Sequence, residues 1–165
     1  MRSLPRRNFS NLNRSSQCIS CASGSYSSQK GNKQCTLCSA GTFSLYSGGI
    51  SVDLCLPCHV GTFSSVIGLN SSKICIKCPA GTYSISIRAV NDIVCLQCPA
   101  VTYSTNTRLT HFTFCKRCVF GTYSFDLYFN LSSKCLQCSP GTYSPNMGET
   151  SSSVCLNCSL GSYSI

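Results

Sequence analysis

Eight CxxC pairs punctuate the chain, at residues 18/21, 35/38, 55/58, 75/78, 95/98, 115/118, 135/138 and 155/158. After a first interval of 17 residues, every interval between pairs is 20. A period held this strictly is the mark of a tandem array of one small unit, not of one globular core. Three residues beyond each pair stands a four-residue phrase, GTYS at 81–84 in its commonest form. Its glycine suits a turn that needs positive φ or close backbone approach. Thr–Tyr/Phe–Ser reads as a short strand with the aromatic on one face and hydroxyls on the other. About ten variable polar residues follow, then a second short apolar stretch such as ICIKC at 74–78. Each unit is therefore expected to be a small irregular β-hairpin closed near its base by cysteine. Little or no helix is expected, because no window sustains a 3.6-residue period and Ser, Thr and Gly dominate. The fold class is a small disulfide-rich β protein: an elongated array of about eight units, without a large core, each touching only its neighbours. Val101 breaks the phrase. Either its unit bends differently, or the glycine answers a lack of room rather than a dihedral.

The chain divides into a basic Ser/Arg-rich arm, 1–17, expected to be disordered, and the repeats, 18–165. Sixteen cysteines in 165 residues, with no Trp and only 10% charged residues, leave too few apolar side chains for a sizeable core. Net charge is +9 but uneven. Arg2, Arg6, Arg7, Arg14, Lys30 and Lys33 precede any acid. Without interleaved aromatics beyond Phe9 this reads as a solvated flank, not a nucleic-acid surface. The arm superficially suits a mitochondrial presequence, but the apolar face such peptides need is thin, and it has no secretory h-region. No apolar run is long enough to span a membrane.

The cysteines admit three chemistries. Zinc is the serious rival: neighbouring pairs read C-x2-C-x16-C-x2-C, within the spacing of four-cysteine sites, with Cys58, Cys75, Cys78 and Cys95 as the alternative ligands. The alternative function would be an intracellular zinc array with a protein-interaction role. Zinc, however, would pair odd knuckles with even ones and create two kinds of spacer, whereas the 20-residue spacers look alike. Redox shuttling of the thioredoxin type needs a helix N-terminus beside the CxxC, and no helix is expected. Disulfides remain, in one of two schemes. Neighbouring CxxC pairs can be joined first to third and second to fourth, using all sixteen cysteines. Alternatively the second cysteine of each pair joins the first of the next: Cys21–Cys35, Cys38–Cys55, Cys58–Cys75, Cys78–Cys95, Cys98–Cys115, Cys118–Cys135 and Cys138–Cys155. This ladder keeps every unit equivalent but leaves Cys18 and Cys158 over, as a piece of a longer array would. Spacing alone admits both.

CxxCPAGTYS, at 75–84 and nearly repeated at 95–104, resembles the ephrin-receptor-like cysteine-rich repeat, within the broader group of growth-factor-receptor and TNF-receptor-like modules. The likeness runs over 18–164. Ser39, His59, Val119, Ser139 and Ser159 depart from it where proline is expected. The TNF-receptor unit implies the ladder pairing.

No catalytic constellation stands out. His59 follows a knuckle cysteine while His111 sits in a spacer, so they share no register, and Asp53, Asp92, Asp126 and Glu149 are scattered. Serines 27, 44, 64, 84, 104, 124, 144 and 164 recur as part of the hairpin. The aromatics Tyr26, Phe43, Phe63, Tyr83, Tyr103, Tyr123, Tyr143 and Tyr163 are expected to pack on the cystines and fill the loops. Sequons at Asn8, Asn13, Asn70, Asn130 and Asn157 suit the secretory pathway. The expected function is a non-enzymatic, cofactor-free array of an extracellular or cell-surface protein. It would serve as stalk, adhesion surface or receptor ectodomain toward a protein or cell-surface ligand.

Overall fold

A computed structural model of the chain describes residues 18–126 and 130–165. The basic arm, with Asn8 and Asn13, lies outside the described residues.

Among the described residues seven hairpin units follow one another, each a two-stranded antiparallel sheet. We number them by their cystines: unit 1 spans 21–37, unit 2 spans 38–57, and units 3 to 7 begin at residues 58, 78, 98, 118 and 138. In unit 2, Thr42–Phe43 pairs with Leu56–Pro57, Phe43 opposite Leu56. The returning strand of every unit is thus the pair of residues inside a CxxC, which is why that spacer holds at two. The disulfide joins the cysteine that opens the unit to the one just before this returning strand. Seven such bonds form a ladder, Cys21–Cys35 through Cys138–Cys155, with Cα–Cα distances of 5.5 to 5.9 Å. In units 2 to 7 a three-residue 3-10 turn, as at Val52–Leu54, precedes the second cysteine of the bond. Unit 1 is three residues shorter between its bonded cysteines, and no such turn stands there. Among the described residues no longer helix occurs.

The repeated phrase forms a β-turn. The amide and the hydroxyl of Thr62 both donate to the His59 carbonyl, at 3.1 and 2.7 Å, with Gly61 at φ +73° between them. That is the position at which type II turns take glycine. The same double bond recurs at Ser25, Thr42, Thr82, Thr102, Thr122, Thr142 and Ser162. The first turn residue contributes only its carbonyl. Ser, His or Val can therefore replace proline there, as at Ser39, His59 and Val119.

Units are knitted by backbone. At the junction of units 2 and 3, Gly41 N donates to Ser64 O, Ser44 N to Leu69 O, and Gly68 N to Cys38 O, all at 2.7 to 2.9 Å. The same three bonds join units 3 and 4 through Gly61, Ser64 and Arg88. Gly68 and Arg88 belong to a second left-handed register, seven residues past the turn glycine, with Gly31, Gly48, Arg108 and Gly148.

Contacts also reach the next unit but one, which corrects the expectation of neighbour contacts alone. A Cβ on Gly61 would stand 2.8 Å from the Arg108 carbonyl oxygen, two units on. Gly24 and Gly41 face the carbonyls of Gly68 and Arg88 with even less room. The turn glycines of units 1 to 3 thus answer dihedral and crowding together. Val101 answers the open alternative: its unit does not bend differently, since its φ is +55°. Its facing residue is Gly148, whose missing side chain leaves the valine Cγ2 3.4 Å from the position a Cβ would take there. The Cys118 N to Val101 O bond is 3.2 Å, against 2.8 to 2.9 Å at Cys38, Cys58, Cys78 and Cys98. A left-handed β-branched residue is strained by about 1–2 kcal/mol. Val101→Gly is therefore expected to stabilise this part of the array by about 1 kcal/mol, after the entropic cost of a new glycine. Chemical denaturation of the two proteins checks it.

Candidate functional site

The apolar interior is mostly cystine. Cys38, Cys58, Cys78, Cys98 and Cys118 are fully buried, and the cores are small clusters around them. Phe43 of unit 2 packs with Leu69 and with the Cys58–Cys75 bond of unit 3. Tyr83 of unit 4 packs likewise on Leu109 and the Cys98–Cys115 bond of unit 5. Phe43 and Tyr83 cover cystines, and in both clusters the cystine belongs to the following unit. Parallel bridges Phe43 to Leu69, Phe63 to Ala89 and Tyr83 to Leu109 hold this register. Tyr143 and Tyr163 lack a complete following unit in this chain and are 45% and 84% exposed.

The four cysteines of the zinc alternative are bonded as Cys58–Cys75 and Cys78–Cys95. Zinc needs thiolates. In this state the four offer none, and among the described residues no group of three or more His, Cys, Asp and Glu is placed to hold a metal. Cys18 is exposed and Cys158 half-buried, both outside the ladder.

The other residues singled out by sequence do not converge. Asp53, Asp92, Asp126 and Glu149 lie in separate units. His111 is a helix cap: its Nδ1 accepts from the Thr113 amide at 3.4 Å. Of the recurrent serines, Ser44, Ser64, Ser84, Ser104, Ser124 and Ser144 are buried while Ser27 and Ser164 are half-buried; Ser64, Ser84 and Ser104 accept from the amides two residues on. Asn70, Asn130 and Asn157 are exposed.

Two surface features escaped the sequence reading. The outer residues of the returning strands, Leu56, Ile76, Leu96, Leu136 and Leu156, are 41–52% exposed at one register, with Lys116 interrupting the row. The 20-residue spacing of these aliphatics was the available signal. The second feature is a cleft that recurs in units 3 and 5. Each lies between a unit's turn and 3-10 segment and takes a wall from the left-handed residue two units on: Arg108 in unit 3, Gly148 in unit 5.

The sequence model of the family described as tyrosine-protein kinase ephrin type A/B receptor-like matches residues 8–55 and 45–93, together a little over half the chain. The chain belongs to this family. No curated protein matches it. The ephrin-receptor-like pattern continues beyond the matched segment: units 5 to 7 keep the turn, the disulfide and the paired strands through residue 157. This family with its disulfide ladder is a receptor-ectodomain-like module. Among the described residues no helix is long and apolar enough to cross a membrane.

Proposed function

We propose that the chain is a non-enzymatic array in an extracellular or cell-surface protein, serving as the ectodomain segment that presents or spaces a binding surface for a protein ligand. The observation that carries this reading is the ladder itself. Seven disulfides supply most of the apolar interior of the units, and the other fully buried side chains are the small hydroxyls of Ser44, Ser64, Ser84 and Ser124. Such a fold belongs where disulfides form and persist, outside the reducing cytosol. Family membership supports the receptor-like role, and exposed Asn70, Asn130 and Asn157 are positioned to accept glycans in that compartment. The tandem 18–165 array acts as one continuous element, because units 2 and 4 complete their cores on the unit that follows and backbone hydrogen bonds recur at the junctions.

Labelling of intact cells with a membrane-impermeant amine reagent tests the reading. The expected result is surface-labelled protein whose paired cysteines resist alkylation until reduced. Recovery only from the cytosol, with free thiols, overturns it.

A further inference from the structure

The geometry points to an anion-binding site in the cleft of unit 3, selective for a sulfate or phosphate monoester group. The cleft has a volume of about 190 Å³, and His59, Ser72, Lys73, Lys77 and Arg108 contribute to its walls. Three basic residues line one concavity, and no carboxylate lines it. Among the described residues the ion pair that forms, Lys134 with Asp126 at 3.1 Å, is three units away from Lys73 and Lys77. Like charges held together without a counter-charge repel one another, so an arriving anion gains what the folded chain gives up.

Arg108 lies far along the sequence from the two lysines, and the fold brings it in. Its amide donates to Cys78 O at 2.9 Å, and its carbonyl is seated against Gly61. This next-but-one contact fixes the Arg108 backbone beside the unit 3 turn, where the residue lines the cleft.

The cleft belongs to the architecture, but its charge belongs to unit 3. In the unit 5 cleft, Pro99 stands at the register of His59, Phe112 at that of Ser72, Thr113 at that of Lys73 and Gly148 at that of Arg108, leaving Arg117 as its single cation. In unit 2, Asp53 and Pro57 occupy the registers of Lys73 and Lys77. A planar fork and two ammonium groups carried by residues that line one cleft suit a tetrahedral, multiply charged group with several acceptor oxygens. The inference goes beyond the ectodomain reading and does not depend on it.

The test uses the full, disulfide-intact chain. Three probes are titrated calorimetrically: inorganic sulfate, inorganic phosphate and a heparin-derived octasaccharide. Lys77→Gln with Arg108→Gly removes two wall charges using residues the array already carries at those registers, as in Gln97, Gln137, Gly68 and Gly148. Arg88→Gly with Lys116→Leu is the matched control; it lowers net charge equally outside the cleft. Saturable binding is expected for at least one probe, weakened by salt. Each lost charged contact should cost roughly tenfold in affinity, while the control changes it less than about twofold. Binding of the small ions places recognition in the sulfate or phosphate group itself. Binding of the octasaccharide alone, with the same variant pattern, places that group on a polymer. Absence of saturable binding by all three probes, or equal loss in variant and control, overturns the site.

Discussion

Gly41→Ala is expected to destabilise units 2 to 4 by about 2–5 kcal/mol, the sum of left-handed strain and of overpacking against backbone. Gly41 sits at φ +75°, and its new Cβ would stand 2.7 Å from the carbonyl carbon of Arg88. Neither atom belongs to a flexible side chain, so relief requires unit 4 to move off unit 2. Gly141→Ala separates the two contributions. Gly141 has φ +86°, but nothing lies within 4 Å of the place its new Cβ would take, so only the strain of about 1–2 kcal/mol should remain. Denaturant titration of both variants provides the measurement. Equal losses would remove the next-but-one contact from the description of the array.

Removing one rung should have an effect of similar size but different reach. The Cys58–Cys75 bond closes a sequence separation of 17, a loop whose constraint on the unfolded chain is worth about 3 kcal/mol. Phe43 packs on this bond from the preceding unit. Cys58→Ser with Cys75→Ser should therefore expose two units to proteolysis, 2 and 3, leaving unit 7 protected. Cys18→Ser, at an exposed cysteine outside the ladder, should change nothing measurable. Limited proteolysis followed by mass spectrometry reads the pattern. Uniform loss of protection along the chain would mean that the array unfolds as one cooperative body.

What the sequence made legible follows from what repeats covalently. The CxxC period exposes the hairpin and its length, because the cysteines and the turn glycine are local requirements restated every 20 residues. The junctions were hidden, because they depend on how backbones approach across units. Phe43 advertises burial but not that the cystine it covers belongs to the next unit. The second left-handed register shows as Gly31, Gly48, Gly68 and Gly148, yet Arg88 and Arg108 at the same positions mask it. Those arginines also explain why the cleft charge was invisible. Lys73 and Lys77 are neighbours on sight, whereas Arg108 joins them only through the carbonyl seated on Gly61. His59 looked isolated for the same reason.

The ladder underlies the fold, the family-like module and the proposed compartment alike, so its pairing is the measurement that matters most. Digestion of the unreduced protein, with mass spectrometry of the linked peptides, should recover Cys58–Cys75 and Cys78–Cys95 together with the other five rungs. Recovery of Cys55–Cys75 with Cys58–Cys78, or of free thiols at Cys58, Cys75, Cys78 and Cys95 holding zinc, would contradict it.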